Sequence, residues 1–180
     1  MPDLEVLENP KTNLASEVIS SDGKTLGKYY FNDNRTPVTF EELPSHLVDA
    51  LIATEDIRFY SHSGIDFKRT VAAAIKLGKD GGGSTITQQL AKLLFTGEGS
   101  RDIIERLTQK FKEYIIAVRL ERHYTKNEII TQYLNLYDFG NNGDGIRSAA
   151  RIYFGKEPID LDINESCLLY TSDAADELCR

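Results

Sequence analysis

The stretch from Ile103 to Leu120 constrains the fold more than any other part of the chain. Ile103, Ile104, Leu107, Phe111, Tyr114, Ile115 and Val118 recur at three- and four-residue steps, which places them on one face of a helix. A second apolar stripe of Ile116, Ala117 and Leu120 appears beside Glu113. A helix apolar on two sides is expected to be central and buried. Glu113 would then project into protein or a cleft rather than bulk water. A chain organised around such a helix is expected to be mainly α.

The flanking segments agree. Pro44 suits a first helical turn, and Leu47, Val48, Leu51 and Ile52 follow at helical spacing. A second helix is expected from Phe67 to Leu77, ahead of the glycine run Gly81-Gly82-Gly83. A third begins at Ser84 or Thr85, where Gln88 completes a capping box, and it runs through Leu94. Thr125 with Glu128 caps a fifth helix through Leu134, and a further one spans Ile146 to Tyr153. Before Pro44 the pattern is different. Asp22-Gly23 lies between two β-prone runs, which predicts a hairpin and thus a short N-terminal β element.

Composition removes several classes of function. Acidic residues number 28 against 21 basic, for a formal net charge of −7, and there is no Lys/Arg tract. Such a chain is not expected to bind nucleic acid. Uninterrupted apolar runs fall far below the roughly 20 residues of a membrane span, and the acidic start is unlike a signal peptide. Both cysteines, Cys167 and Cys179, follow Ser166, so no disulfide or thiolate metal site supports the body of the chain. His46, His62 and His123 lie far apart without ligand spacing.

Three features could carry chemistry. Glu55 closes an apolar helix beside Asp56, Arg58 and His62. A carboxylate so placed can serve as a general base, or more plainly as a solvated helix-end acid bridging Arg58. Glu113 could supply the second carboxylate of a glycosyl-transfer pair, or could be a helix-surface acid paired with Lys110 or Lys112. The glycine run opening into Ser84-Thr85 offers free backbone N–H groups and a positive helix end, which suits phosphate oxygens. Lys92 would add a charge two turns on. No Gly-Lys-Ser/Thr follows the glycines, so this is not a nucleotide P-loop.

The strings around these features resemble, in order, the five motifs of family 51 glycosyltransferases. Those are the transglycosylase domains of class A penicillin-binding proteins and of monofunctional peptidoglycan glycosyltransferases. Glu55 to Asp66 is similar to the first motif, through Glu55, Asp56, Arg58 and His62. Gly82 to Lys92 matches the second, with Gly82, Gly83 and Thr85 in place. Lys110-Phe111-Lys112-Glu113 resembles the third, and Tyr124 to Asn135 the fourth. Arg151 to Lys156, with Leu161 and Glu165, resembles the fifth. Two positions depart from the family pattern: Gln109 stands where many members carry Arg, and Phe139-Gly140-Asn141-Asn142 varies a usual Gly-Asn-Gly turn.

The resemblance implies a lysozyme-like α fold with a head lobe and a smaller membrane-facing jaw. It implies polymerisation of lipid II into glycan strands, with inversion at the anomeric carbon and undecaprenyl diphosphate as leaving group. Glu55 would be the base for the acceptor 4-hydroxyl, and Glu113 would assist at the donor diphosphate. Ser84, Gln89, Lys92, Lys110 and Arg101 would line the donor and phosphate site. A divalent cation, Mg or Mn, would accompany the diphosphate without protein side chains alone fixing it. The implied partners are lipid II, the growing strand, the membrane surface and moenomycin-type inhibitors. The implied location is the outer face of the bacterial cytoplasmic membrane, with an anchoring N-terminal helix outside this sequence and an apolar membrane-resting patch between Phe67 and Phe95.

The expected layout is a strand and linker region over 1–42, a C-terminally truncated transglycosylase domain over 43–166, and a tail over 167–180. The string Cys167-Leu168-Leu169-Tyr170-Thr171-Ser172-Asp173-Ala174-Ala175-Asp176-Glu177 resembles one translation frame of a transposon-type sequencing adapter. The tail is therefore expected to be non-native and poorly packed.

Overall fold

The computed structural model describes residues 16–29, 35–75, 83–96 and 102–170. Gly23 takes φ +80° in the turn between strands β1 (Ser16–Ile19) and β2 (Thr25–Tyr29). The strands pair antiparallel, Glu17 opposite Lys28, with a bulge after Val18. This is the expected hairpin, and the helices that follow give the expected mainly α architecture. They are α1 (Ser45–Glu55), α2 (Phe67–Ile75), α3 (Ile86–Ala91), α4 (Ile103–His123), α5 (Lys126–Leu136), α6 (Ile146–Phe154) and α7 (Ile163–Tyr170). A π-helical turn, Lys92–Thr96, continues α3. Among the described residues no helix is long and apolar enough to cross a membrane.

The chain divides into two compact units. The first holds Leu51–Tyr133, and its core is built from Leu51, Phe59, Ile86, Leu90, Ile116, Leu120, Ile129 and Ile130. Each fully buried aliphatic or aromatic side chain here contributes roughly 1.5–3 kcal/mol of transfer free energy. Thr85 and Gln88 close the predicted capping box: Gln88 N–H donates to Thr85 Oγ1 at 3.2 Å, and Thr85 N–H to Gln88 Oε1 at 3.4 Å. Thr125 and Glu128 form another, with Thr125 N–H donating to Glu128 Oε2 at 2.7 Å and Glu128 N–H to Thr125 Oγ1 at 3.3 Å.

Helix α4 corrects one expectation. Its inner stripe, Ile116, Ala117 and Leu120, is buried, whereas Ile104, Leu107, Phe111 and Ile115 are exposed. The helix is one-sided. Spacing shows which residues share a face, not which face meets the core. Glu113 is nonetheless 4% exposed, because it falls three and four residues before Ile116 and Ala117 on the inner face.

The second unit holds the described parts of Lys11–Ala50 and Leu134–Arg180. Asn135 acts there as a backbone mimic, accepting Val38 N–H at 2.9 Å and donating to Val38 O at 3.0 Å. Glu42 pairs with Arg147, and Arg151 Nε donates to Glu157 at 2.6 Å. Asn141 and Asn142 both take positive φ, 51° and 62°, which asparagine tolerates better than other side-chain-bearing residues. That explains how the varied turn is accommodated. Asp162 and Glu165 form a reciprocal cap at the start of α7.

The expectation of poor packing from residue 167 onward fails for the first part of that stretch. Helix α7 runs through Tyr170, Leu169 and Tyr170 are buried, and the Tyr170 ring meets Phe139 at 5.9 Å. Apolar residues at helical spacing pack whatever their origin. Residues 171–180 lie outside the described residues.

Candidate active site

The site residues meet on the segment that opens α3. Gly64 sets its position. Its φ is +88°, and a Cβ there would stand 2.8 Å from the Ala117 carbonyl oxygen, so the loop lies directly against α4. The Gly64 carbonyl accepts Thr85 Oγ1 at 2.7 Å and Gln88 Nε2 at 3.3 Å. The capping box therefore also fastens the first motif to the second.

Glu55 and Asp56 end α1 and grip the same segment. Gln89 Nε2 donates to Glu55 Oε2 at 2.6 Å, and Tyr133 donates its hydroxyl to Gln89 Oε1 at 3.0 Å. Arg69 donates to the Glu55 carbonyl. Asp56 is buried; its Oδ2 accepts Ile86 N–H at 3.2 Å and faces His62 Nε2 at 2.9 Å. Glu55 is therefore not a helix-end acid bridging Arg58. Arg58 instead forms a two-pronged pair with Asp66, at 2.7 and 2.8 Å. Burial pushes the Asp66 carboxyl up, but the Arg69 N–H and the Arg58 bonds and charge outweigh it. Together with His62 they hold it below the ordinary range. Two cavities, of about 460 and 620 Å³, share Arg58, Asp66 and Lys68 in their walls; neither is lined by Glu55 or Glu113.

Glu113 is tied to the other end of the segment. Lys110 Nζ lies 2.6 Å from Glu113 Oε2 and donates to Ser84 Oγ at 2.9 Å. The pairing with Lys110 that the plainer reading anticipated is present, with Glu113 buried and the Lys110 side chain half exposed. Ser84 and Gln89 thus serve as two brackets, one reaching the Glu113 pair and the other reaching Glu55. Glu55, Glu113, Ser84, Gln89, Lys110, Asp56, His62 and Thr85 all lie in the first unit, linked by these bonds around the start of α3. Lys92 is exposed at the start of the π-helical turn, and Gly83 lies in irregular chain just before Ser84. Arg101 and Gly82 lie outside the described residues.

Sequence reading gave no role to Arg69 or Glu121, and named Tyr133 and Lys126 only within the string that resembles the fourth motif. Lys126 Nζ donates to His62 O and to Glu121 Oε1, both at 2.8 Å, and sits 4.1 Å from the Phe59 ring centroid. Glu121 also accepts Thr87 Oγ1 at 2.6 Å. The His62–Lys126 and Thr87–Glu121 contacts join residues 64 and 34 positions apart, which local spacing does not reveal.

Glu113 Oε2 is held by Lys110, and among the described residues no three His, Cys, Asp or Glu side chains converge to hold a metal.

Comparison with known proteins assigns the class of this mainly helical chain. Residues 22–176 match the family described as Transglycosylase, and the chain belongs to that family. It is 37% identical over 174 residues to penicillin-binding protein 1A of Pseudomonas aeruginosa, covering 94% of this chain and 20% of that protein. It is 40% identical over 159 residues to penicillin-binding protein 1F of Bacillus subtilis, covering 86% and 21% respectively. Against penicillin-binding protein 1A of Escherichia coli the identity is 37% over 174 residues, covering 94% and 20%. The chain spans about a fifth of the length of these relatives.

Proposed function

We propose that this chain carries a peptidoglycan glycosyltransferase site that polymerises lipid II into glycan strands, with inversion at the anomeric carbon. Glu55 accepts the proton of the acceptor 4-hydroxyl as its oxygen forms the new bond to the donor C1. The bond from C1 to the diphosphate oxygen breaks on the opposite face, and undecaprenyl diphosphate leaves with the electron pair. Lys110 and Ser84 meet the developing phosphate charge, with Lys92 and Arg101 as further cations for that anion. Glu113 orients Lys110 at the donor side. A half-exposed lysine held by a buried carboxylate meets that charge with little reorganisation during the reaction.

The observation that carries this reading is the bracketing of one helix start by both carboxylates, Glu55 through Gln89 and Glu113 through Lys110 and Ser84. Any divalent cation would travel with the diphosphate, and no step depends on it. The exposed stripe Ile104, Leu107, Phe111 and Ile115, with Phe67, Val71 and Leu93, supports resting this unit on the bilayer that holds the lipid substrate. The stripe on α4 lies outside the Phe67–Phe95 range expected for such a patch. Location on the outer face of the cytoplasmic membrane follows from the same substrate.

The test is turnover against binding. Glu55→Gln in the full-length gene product is expected to lose roughly 10²–10⁴-fold in lipid II polymerisation, the usual range for general-base removal, while still binding a labelled moenomycin analogue. Near wild-type polymerisation would overturn the assignment. Cleavage of finished glycan instead of polymerisation would point to a lytic enzyme, and binding without turnover in the unmutated protein to a binding module.

A further inference from the structure

Gln89 has one amide and two neighbours with opposite demands. Its Nε2 lies 2.6 Å from Glu55 Oε2, and its Oε1 lies 3.0 Å from the Tyr133 hydroxyl. An ionised carboxylate can only accept, so the amide must turn its nitrogen toward Glu55. Its oxygen then faces Tyr133, and the phenol must donate. Each contact enforces the other, which leaves one consistent orientation of the amide. Tyr133 is 1% exposed on α5, so ring packing fixes where its hydroxyl can point.

We infer that Tyr133 is a positioning residue for the Glu55 carboxylate, acting through the Gln89 amide; this rests on the reading of Glu55 as the base. Without the hydroxyl, the half-buried Gln89 oxygen loses its donor. The side chain can then swing toward water, or rotate its amide and set oxygen against oxygen at Glu55. Either response releases the carboxylate from the single orientation in which it meets the acceptor hydroxyl. Small misplacements of a reacting group cost far more in rate than in binding. Tyr133→Phe removes only the oxygen and keeps the ring in the core.

The experiment is a double-mutant cycle on lipid II polymerisation by the full-length gene product, with Tyr133→Phe, Gln89→Leu, their combination, and Glu55→Gln. Tyr133→Phe is expected to lower kcat roughly tenfold, the scale of one lost hydrogen bond, with KM for lipid II within about twofold. In the Gln89→Leu background the same substitution is expected to change kcat by less than about twofold, because no amide remains to be oriented. Wild-type turnover in Tyr133→Phe, or an equal loss in both backgrounds, would overturn the inference; the latter is what a packing role alone gives. If Gln89→Leu fails to fold by circular dichroism, Gln89→Ala completes the cycle. Glu55→Gln separates the two claims. Retained turnover there defeats the base assignment itself, whereas an inactive Glu55→Gln with an uncoupled Tyr133 and Gln89 defeats only the positioning role.

Discussion

Asp56 and Ile86, thirty residues apart, are joined by a bond from the Ile86 backbone N–H to the Asp56 carboxylate at 3.2 Å. The first N–H groups of a helix have no partner within it, and here a buried side chain from the end of α1 takes one of them. The carboxylate beside the proposed base therefore holds the helix start that carries Ser84 and Gln89 at its two ends. Asp56→Ala is expected to cost about 2–3 kcal/mol, because it orphans both the N–H and His62 Nε2. Urea unfolding of the variant checks this. A loss below about 0.5 kcal/mol would mean that the bond is idle.

Gly64 leaves no room for a side chain. Gly64→Ala places a methyl 2.8 Å from the Ala117 carbonyl oxygen, at a φ of +88° that alanine rarely adopts. The expected destabilisation is about 3 kcal/mol, and turnover should fall even in the fraction that folds. Thermal unfolding and single-turnover polymerisation, run on the same preparation, separate the two effects.

Lys110 and Glu113 should not behave as independent residues. Removing either partner strands a buried or half-buried charge, so Lys110→Met and Glu113→Gln are each expected to reduce turnover by more than tenfold. Their combination should cost much less than the product of the two losses. A strictly multiplicative double variant would show that the ion pair is not a unit.

Asp66 gives the site an acid limit. Its carboxyl sits below its ordinary unfolded value of about 3.9, so the stabilisation it supplies is fully present above that pH. It is lost as pH falls through the lower folded value. Asp66→Asn should therefore flatten the acid limb of a stability–pH curve and leave the shape above pH ~5 unchanged. An acid limb as steep as in wild type would show that other carboxylates control it.

The exposed stripe on α4 can be removed without touching the core. Phe111 is 65% exposed and Leu107 57%. The double substitution Leu107→Ser, Phe111→Ser is expected to weaken co-sedimentation with phosphatidylglycerol vesicles by roughly tenfold or more, with unfolding free energy nearly unchanged. Unaltered sedimentation would remove α4 from the bilayer contact.

Local grammar made much of the fold legible. Asp22-Gly23 marked the hairpin, Thr125 with Glu128 marked one helix start, and Thr85 with Gln88 marked another to within a residue, because caps depend only on neighbours three positions apart. Two more pairs at the same spacing, Thr39 with Glu42 and Asp162 with Glu165, cap a short helical turn and α7. The site was legible as strings rather than as geometry. That Glu55 answers to Gln89 and Tyr133 depends on contacts 34 and 44 residues apart along the chain. The side of α4 that faces inward was illegible for a related reason: periodicity defines a face, but only the partner helices choose which face is inside.

Lys126 bears on how the loop 59–64 can open. Its ammonium faces the His62 carbonyl, the Glu121 carboxylate and the Phe59 ring at once, and it stands at the first position of α5. The loop therefore cannot peel away while that first turn stays in place, because one cation holds both. In hydrogen-exchange experiments the amides of 59–64 and of the start of α5 should exchange as a single cooperative unit with a shared opening free energy, and Lys126→Met should split them into two.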